Sequence, residues 1–247
     1  MHAKMLKIYW GGSFSLARKK LHNVTKAGIV RVATQRFMQT GYSGTTVKSI
    51  SDELGISTGH VTFYYPSKER LLSILTQMLC DFQWKMMSWL VDEGEDALTA
   101  LCVELMSMAA ICEENPIAKD FYLSAYTHPM PLEIIRRNDA ARAKNVFAEY
   151  CPCWTDAQFA EAETLVSGIE YATLMTTGDS QSIEVRISGA LDEIMKIYGV
   201  PPDVRHSKIG KSLSMDYRGI GRRILKEFME YIDQVNEQVI DDLPNLP

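Results

Sequence analysis

Apolar residues recur at helical spacing along nearly the whole chain, and nowhere do they alternate in the period of two that a half-buried strand requires. That pattern predicts an all-α fold. The stripe Ile29, Val32, Ala33 and Phe37 marks a first helix over 24–40, and Gly41 is its stop. Thr45 or Thr46 can cap a short second helix that runs to about Leu54, with Val47, Ile50 and Leu54 inward. Gly55, Ile56 and Ser57 form a tight turn. A very short third helix follows to about Tyr64, because the residue before Pro66 avoids helical geometry. Ser67 then caps a fourth helix over about 68–91, striped by Leu71, Leu75, Met78, Phe82, Met86 and Trp89. Further helices are expected at about 96–114, 117–127, 131–150, 156–177, 183–198 and 213–241, with breaks at Pro116, Pro129/Pro131, Pro152, Gly178 and Pro201/Pro202.

Charge divides this pattern into two parts. Residues 1–72 hold 11 Lys/Arg against 3 Asp/Glu, although the 247-residue chain carries a formal net charge of −5. A basic front on an acidic protein suits contact with a polyanion. The expected organisation is a basic arm and helical head over 1–67, and a larger helical body over 68–247. No apolar run is long enough to span a membrane. Lys7 interrupts the apolar residues near the start and no cleavage-like stretch follows, so a signal peptide is not expected. The five cysteines are odd in number and irregularly spaced. Cys151 and Cys153 flank one proline with no histidine nearby, a poor zinc set. No metal or cofactor is expected, and a reducing cytoplasm fits the free thiols.

Two short helices joined by a glycine-containing turn make a helix-turn-helix pattern. The second must be slim and polar outside to enter a major groove. Thr58, Gly59, His60, Thr62 and Phe63 meet that demand, while Val61 points to the core. An ordinary helical corner is the alternative reading of this pattern alone.

Residues 45–72, TTVKSISDELGISTGHVTFYYPSKERLL, add a specific resemblance. They resemble the signature of the tetracycline-repressor (TetR) family in every element: Thr46, the Gly55-Ile56-Ser57 turn, Gly59, the pair Tyr64-Tyr65, Ser67-Lys68-Glu69 and Leu71. The preceding Ala33, Phe37, Gly41-Tyr42 and Thr45-Thr46 match the family's first helix and loop, so the resemblance covers about residues 24–75. Many members carry tyrosine where this chain has Thr62 and histidine where it has Tyr64, so an operator sequence cannot be transferred.

The resemblance implies a DNA-binding transcription regulator. Thr46 and Lys68 would meet phosphate at helix starts, and Tyr64 would bond phosphate through its hydroxyl. Thr58, Gly59, His60, Thr62 and Phe63 would face the bases. Tyr65 packs inside the head. Arg18, Lys19 and Lys20 form a basic arm that either follows the DNA backbone or is solvated. The body would then bind a small-molecule effector and pair two subunits on double-stranded operator DNA. Leu165, Gly168, Ile169 and Ala172 of one segment, with Ile187, Leu191 and Ile194 of the next, make a candidate four-helix homodimer interface. The alternative is that both helices belong to the subunit's own core. Met86, Trp89, Met106, Phe121, Tyr122, Tyr126 and Glu170 are candidate effector contacts. Glu104 and Glu170 sit in apolar stretches, where they can meet a cationic or hydroxylated ligand or be ion-paired. The expected function is that of a repressor released by an apolar or amphipathic effector; a regulator without effector is the alternative. No phosphate loop, HExxH or nucleophile elbow suggests an enzyme.

Overall fold

The computed structural model describes residues 25–235, 237–241 and 243. Twelve helices and no strand occur among the described residues. The first is α1 (Lys26–Gly44), capped by the Thr25 hydroxyl, which accepts from the Gly28 amide at 3.2 Å. At Gly41 the φ angle is +80°, which breaks the helix where the sequence predicts a stop, and a further turn closes at Gly44. Gly41 is required twice over. Its backbone lies in the left-handed region, and a Cβ there would sit 2.6 Å from Asp120 Oδ2.

The next two helices are α2 (Val47–Leu54) and α3 (Thr58–Tyr64). Thr46 starts α2 with a reciprocal capping box to Ser49, and Gly55 ends it at φ +66°. Ser57 caps α3 by accepting from the His60 amide. Ile29, Phe37, Ile50 and Val61 are wholly buried and knit these helices together. Ser67 caps α4 (Lys68–Asp92), 25 residues and so about 37 Å long.

The remaining helices are α5 (Ala97–Glu114), α6 (Pro116–Thr127), α7 (Pro129–Val146), α8 (Asp156–Leu174), α9 (Ile183–Ile197), α10 (Pro202–Leu213), α11 (Tyr217–Asp233) and α12 (Glu237–Asp241). Helix α5 is the axis of the body. It is buried almost throughout and touches α4, α6, α7, α8, α9, α10 and α11. Its crossing with α11 is close because Gly221 has no side chain: a Cβ there would meet Ser107 O at 2.9 Å. The Ser107 hydroxyl seals that crossing by donating to Tyr217 O at 2.9 Å.

The C-terminal stretch departs from expectation. In place of one helix over 213–241, three helices follow Val200. Pro201 and Pro202 do break the chain, but Pro202 also opens α10, since a proline at the first helical position lacks an N–H that would be unpaired anyway. Helix α10 is polar, burying little beyond Ile209 and Ser212, so apolar periodicity could not announce it. The end of the chain returns to the head. Arg31 donates to Val235 O at 2.7 Å, and Lys26 pairs with Asp241 at 2.8 Å.

Candidate nucleic-acid interface and buried cavity

The two helices of the corner present one polar surface. Thr46, Thr58, Gly59, His60 and Thr62 are exposed, and Phe63 is 80% exposed, an extreme value for a large apolar ring. Val61 alone anchors α3 inward. Tyr64 is half-buried and lies edge-on to His60 and Phe63, with ring centroids at 5.6 and 5.1 Å. Tyr65 is buried, its hydroxyl donating to Lys26 O at 3.2 Å. The structure places Lys68 differently from the sequence expectation. Its ammonium donates to Tyr42 O at 2.8 Å and Thr45 O at 3.0 Å, and lies 3.9 Å from the Tyr42 ring centroid. It braces the end of α1 rather than standing free for phosphate. A cation that sequence reasoning passed over, Lys48, is exposed on α2 near Thr46 and pairs with Asp52 at 2.8 Å. Arg18, Lys19 and Lys20 lie outside the described residues.

An internal cavity lies in the body, between α4, α5, α6, α7, α8 and α9. A water molecule's centre can lie anywhere within about 60 Å³ of it, several times the room one water needs. Of the expected effector contacts, Tyr122, Tyr126 and Glu170 line it. Met86, Trp89, Met106 and Phe121 do not, and the expectation is corrected for these four. Trp89 packs under the Arg223 guanidinium of α11, 4.5 Å from its ring. Met106 is wholly buried in the core of α5, and Phe121 faces α11 near Phe228.

The cavity wall holds Glu104 and Glu170, which the sequence singles out, and further charge that it does not, Asp139, Arg142 and Glu163. Glu104, Asp139, Glu163 and Glu170 line it with a single guanidinium, that of Arg142. Arg142 pairs with Glu104 in a buried ion pair and reaches Asp139 at 3.4 Å. The Tyr126 hydroxyl donates to Glu170 at 2.8 Å, and the Tyr198 hydroxyl donates to Glu163 Oε1. Burial raises Glu163 to about 8 and Glu170 well above the carboxylate range, with Asp139 reinforcing both. Asp139 itself is raised by burial to about 6. The available signal was spacing. Asp139 and Arg142 fall on the stripe Ile135, Asp139, Arg142, Val146, and Glu163 and Glu170 flank Val166 on one face of α8.

The candidate pairing surface divides in two. On α8, Leu165 is 60% exposed, Gly168 and Ala172 are exposed, and Ile169 is half-buried. On α9, Ile187, Leu191 and Ile194 are turned into the subunit's own core, which corrects their expected place in an interface. The exposed positions of α9 include Val185, at 59%, and Gly189. No described helix is long and apolar enough to cross a membrane, and no group of metal-binding side chains occurs among the described residues.

Comparison with known proteins places the head. Residues 29–74 match the model of the bacterial regulatory proteins of the tetR family. Among solved structures, full-length TylP, a TetR regulator from Streptomyces fradiae, is 17% identical over 87% of this chain and 99% of that one, with a TM-score of 0.45. A γ-butyrolactone receptor (ArpA-like protein) is 17% identical over 86% of this chain and 99% of that one, with a TM-score of 0.44. AmtR of Mycobacterium smegmatis is 17% identical over 78% of this chain and 97% of that one, with a TM-score of 0.39. No curated protein matches the chain. Cap by cap, the helix-turn-helix built on Thr46, Gly55, Ser57 and Ser67 lies within the residues that match the model of the tetR family of bacterial regulatory proteins.

Proposed function

We propose that the chain acts as a homodimeric, sequence-specific repressor, released from its operator by a small molecule held in the body cavity. The observation that carries the DNA-reading part is α3 itself: one anchored residue, Val61, behind an exposed face of Thr58, Gly59, His60, Thr62 and Phe63. Such a helix has no packing reason to show a phenylalanine ring to water, and a major groove offers thymine methyls for it. Thr46 opens α2 toward phosphate, and the Tyr64 hydroxyl reaches the backbone beside it. Two copies joined through α8 and α9 would set their α3 helices about 34–36 Å apart, one turn of duplex.

Release needs a path from cavity to head, and two helices offer one. Helix α4 lines the cavity at Leu79, Cys80 and Gln83 and holds the head through Lys68. Helix α6 lines it at Tyr122 and Tyr126, and its Asp120 accepts from the Ser43 amide at 2.8 Å and the Ser43 hydroxyl at 2.5 Å. An effector that shifts either helix tilts the head on the body, and its leverage equals its difference in affinity for the two tilts.

The test is selection of bound duplexes from a random pool by wild type, His60→Ala and Thr62→Ala. Wild type is expected to enrich a near-palindrome, and each variant to change preference at one symmetric position, at a cost of about 1–3 kcal/mol. Enrichment of no sequence would refute the reading.

A further inference from the structure

The cavity wall carries an unusual electrical imbalance. Four carboxyl groups face one guanidinium, and Arg142 is committed to Glu104 and Asp139. Arg136, another cation on α7, donates to the Ser167 hydroxyl at 2.9 Å and does not line the cavity. Glu163 and Glu170 each keep a tyrosine hydroxyl on one oxygen. The second oxygen of Glu163 is different. Oε2 is buried and has no hydrogen-bond partner, in a residue only 2% exposed. A polar oxygen left so in the interior, protonated or not, costs about 1–3 kcal/mol until something pairs with it. The rest of the wall is apolar, with Leu79, Leu105, Met108 and Val166 around the acid.

We propose that the cavity takes a cationic amphiphile, a protonated amine on a slim apolar chain, with the ammonium on Glu163 Oε2 and the chain along Leu79, Leu105 and Met108. An anionic ligand would meet four carboxyls and one occupied guanidinium. A neutral alcohol would satisfy Oε2 but leave the field that the Asp139 carboxylate exerts on Glu163 unanswered. The cation answers both, and it does so at a proton's expense. Near neutral pH Glu163 holds a proton, because burial raises it. An arriving ammonium favours the carboxylate, so the proton leaves Glu163 for solvent as the cation binds. This assignment rests on the effector reading above and names its chemical class.

The experiment is calorimetry on the full chain with n-hexylammonium chloride, 1-hexanol and sodium hexanoate, in two buffers of different ionisation enthalpy. The ammonium is expected to bind about tenfold or more tighter than the alcohol, with the carboxylate weakest. Its binding should release protons near pH 7 and cease to do so above about pH 9, where Glu163 is already ionised. Glu163→Gln should lose about tenfold for the ammonium and lose the proton release, while an unchanged far-ultraviolet circular dichroism spectrum shows that the variant is folded. Equal or tighter binding of hexanol or hexanoate, undiminished ammonium binding by Glu163→Gln, or binding of none of the three would overturn the proposal. Titrating the same preparations against the selected duplex separates the two readings. Intact duplex binding alongside any of those results leaves the regulator standing without this effector class. Duplex binding that no amine alters leaves the site and removes effector release.

Discussion

Lys68 sits where its helix begins, yet its ammonium is spent inside the protein. It satisfies two carbonyls at the end of α1 and lies on the face of Tyr42. Partial burial lowers its pKa, and the nearby Asp120 carboxylate opposes that. Lys68→Met should therefore destabilise the head by roughly 1–3 kcal/mol, seen by urea unfolding, and leave base preference unchanged. A changed preference in the selection experiment would contradict this placement. Glu163 gives a second prediction. In the unfolded chain it ionises near its ordinary value of about 4.3, whereas in the fold burial holds its proton to about 8. Between those values the native state binds the extra proton, so stability falls as pH rises through that window and levels off above it. Glu163→Gln has no proton to lose. It should match wild type near pH 4 and exceed it by roughly 1–3 kcal/mol near pH 8, by urea unfolding across pH. Parallel curves would contradict the buried, unpartnered acid.

At the scale of elements, the head was legible because its signals are local. Thr46, Gly55, Ser57 and Ser67 each cap or close a helix within a few residues, and each does so in the structure. The body was legible as helices but not as faces. An apolar stripe shows which side of a helix avoids water, not whether its cover is the same chain or another. Ile187, Leu191 and Ile194 look like a seam in sequence and prove to be core. Trp89 continues the stripe of Leu71 and Leu75, but α4 changes neighbours along its length, and Phe82 already meets Phe228 and Tyr231. Glu104 and Glu170 stood out in sequence, but their grouping was hidden for the same reason, since four carboxyls from α5, α7 and α8 meet only after those helices pack. The exposed seam on α8 yields a clean test. Nothing lies within 4 Å of a Cβ built on Gly168, so Gly168→Arg should leave the subunit folded. Set in a packed seam, the same arginine should separate the partners. Sedimentation is expected to show a folded monomer with lost operator binding. A dimer with unchanged affinity would move the interface away from α8.

Across the whole molecule, the head is held from three sides. Lys68 of α4 and Asp120 of α6 grip the end of α1, while Val235 and Asp241 near the C-terminus hold Arg31 and Lys26. The first two grips belong to helices that also wall the cavity, so head and cavity share their supports. In the proposed mechanism that arrangement would make operator affinity a function of cavity occupancy, which has meaning only if the head reads DNA as a pair. The most direct test is to titrate the selected duplex and a scrambled duplex of equal composition with the full chain at two salt concentrations. The account predicts two subunits per selected duplex and affinity at least about 10³-fold above the scrambled one. Both should weaken as salt rises, because phosphate contacts release counterions. Equal affinity for the two duplexes, or one subunit per selected duplex, would contradict it.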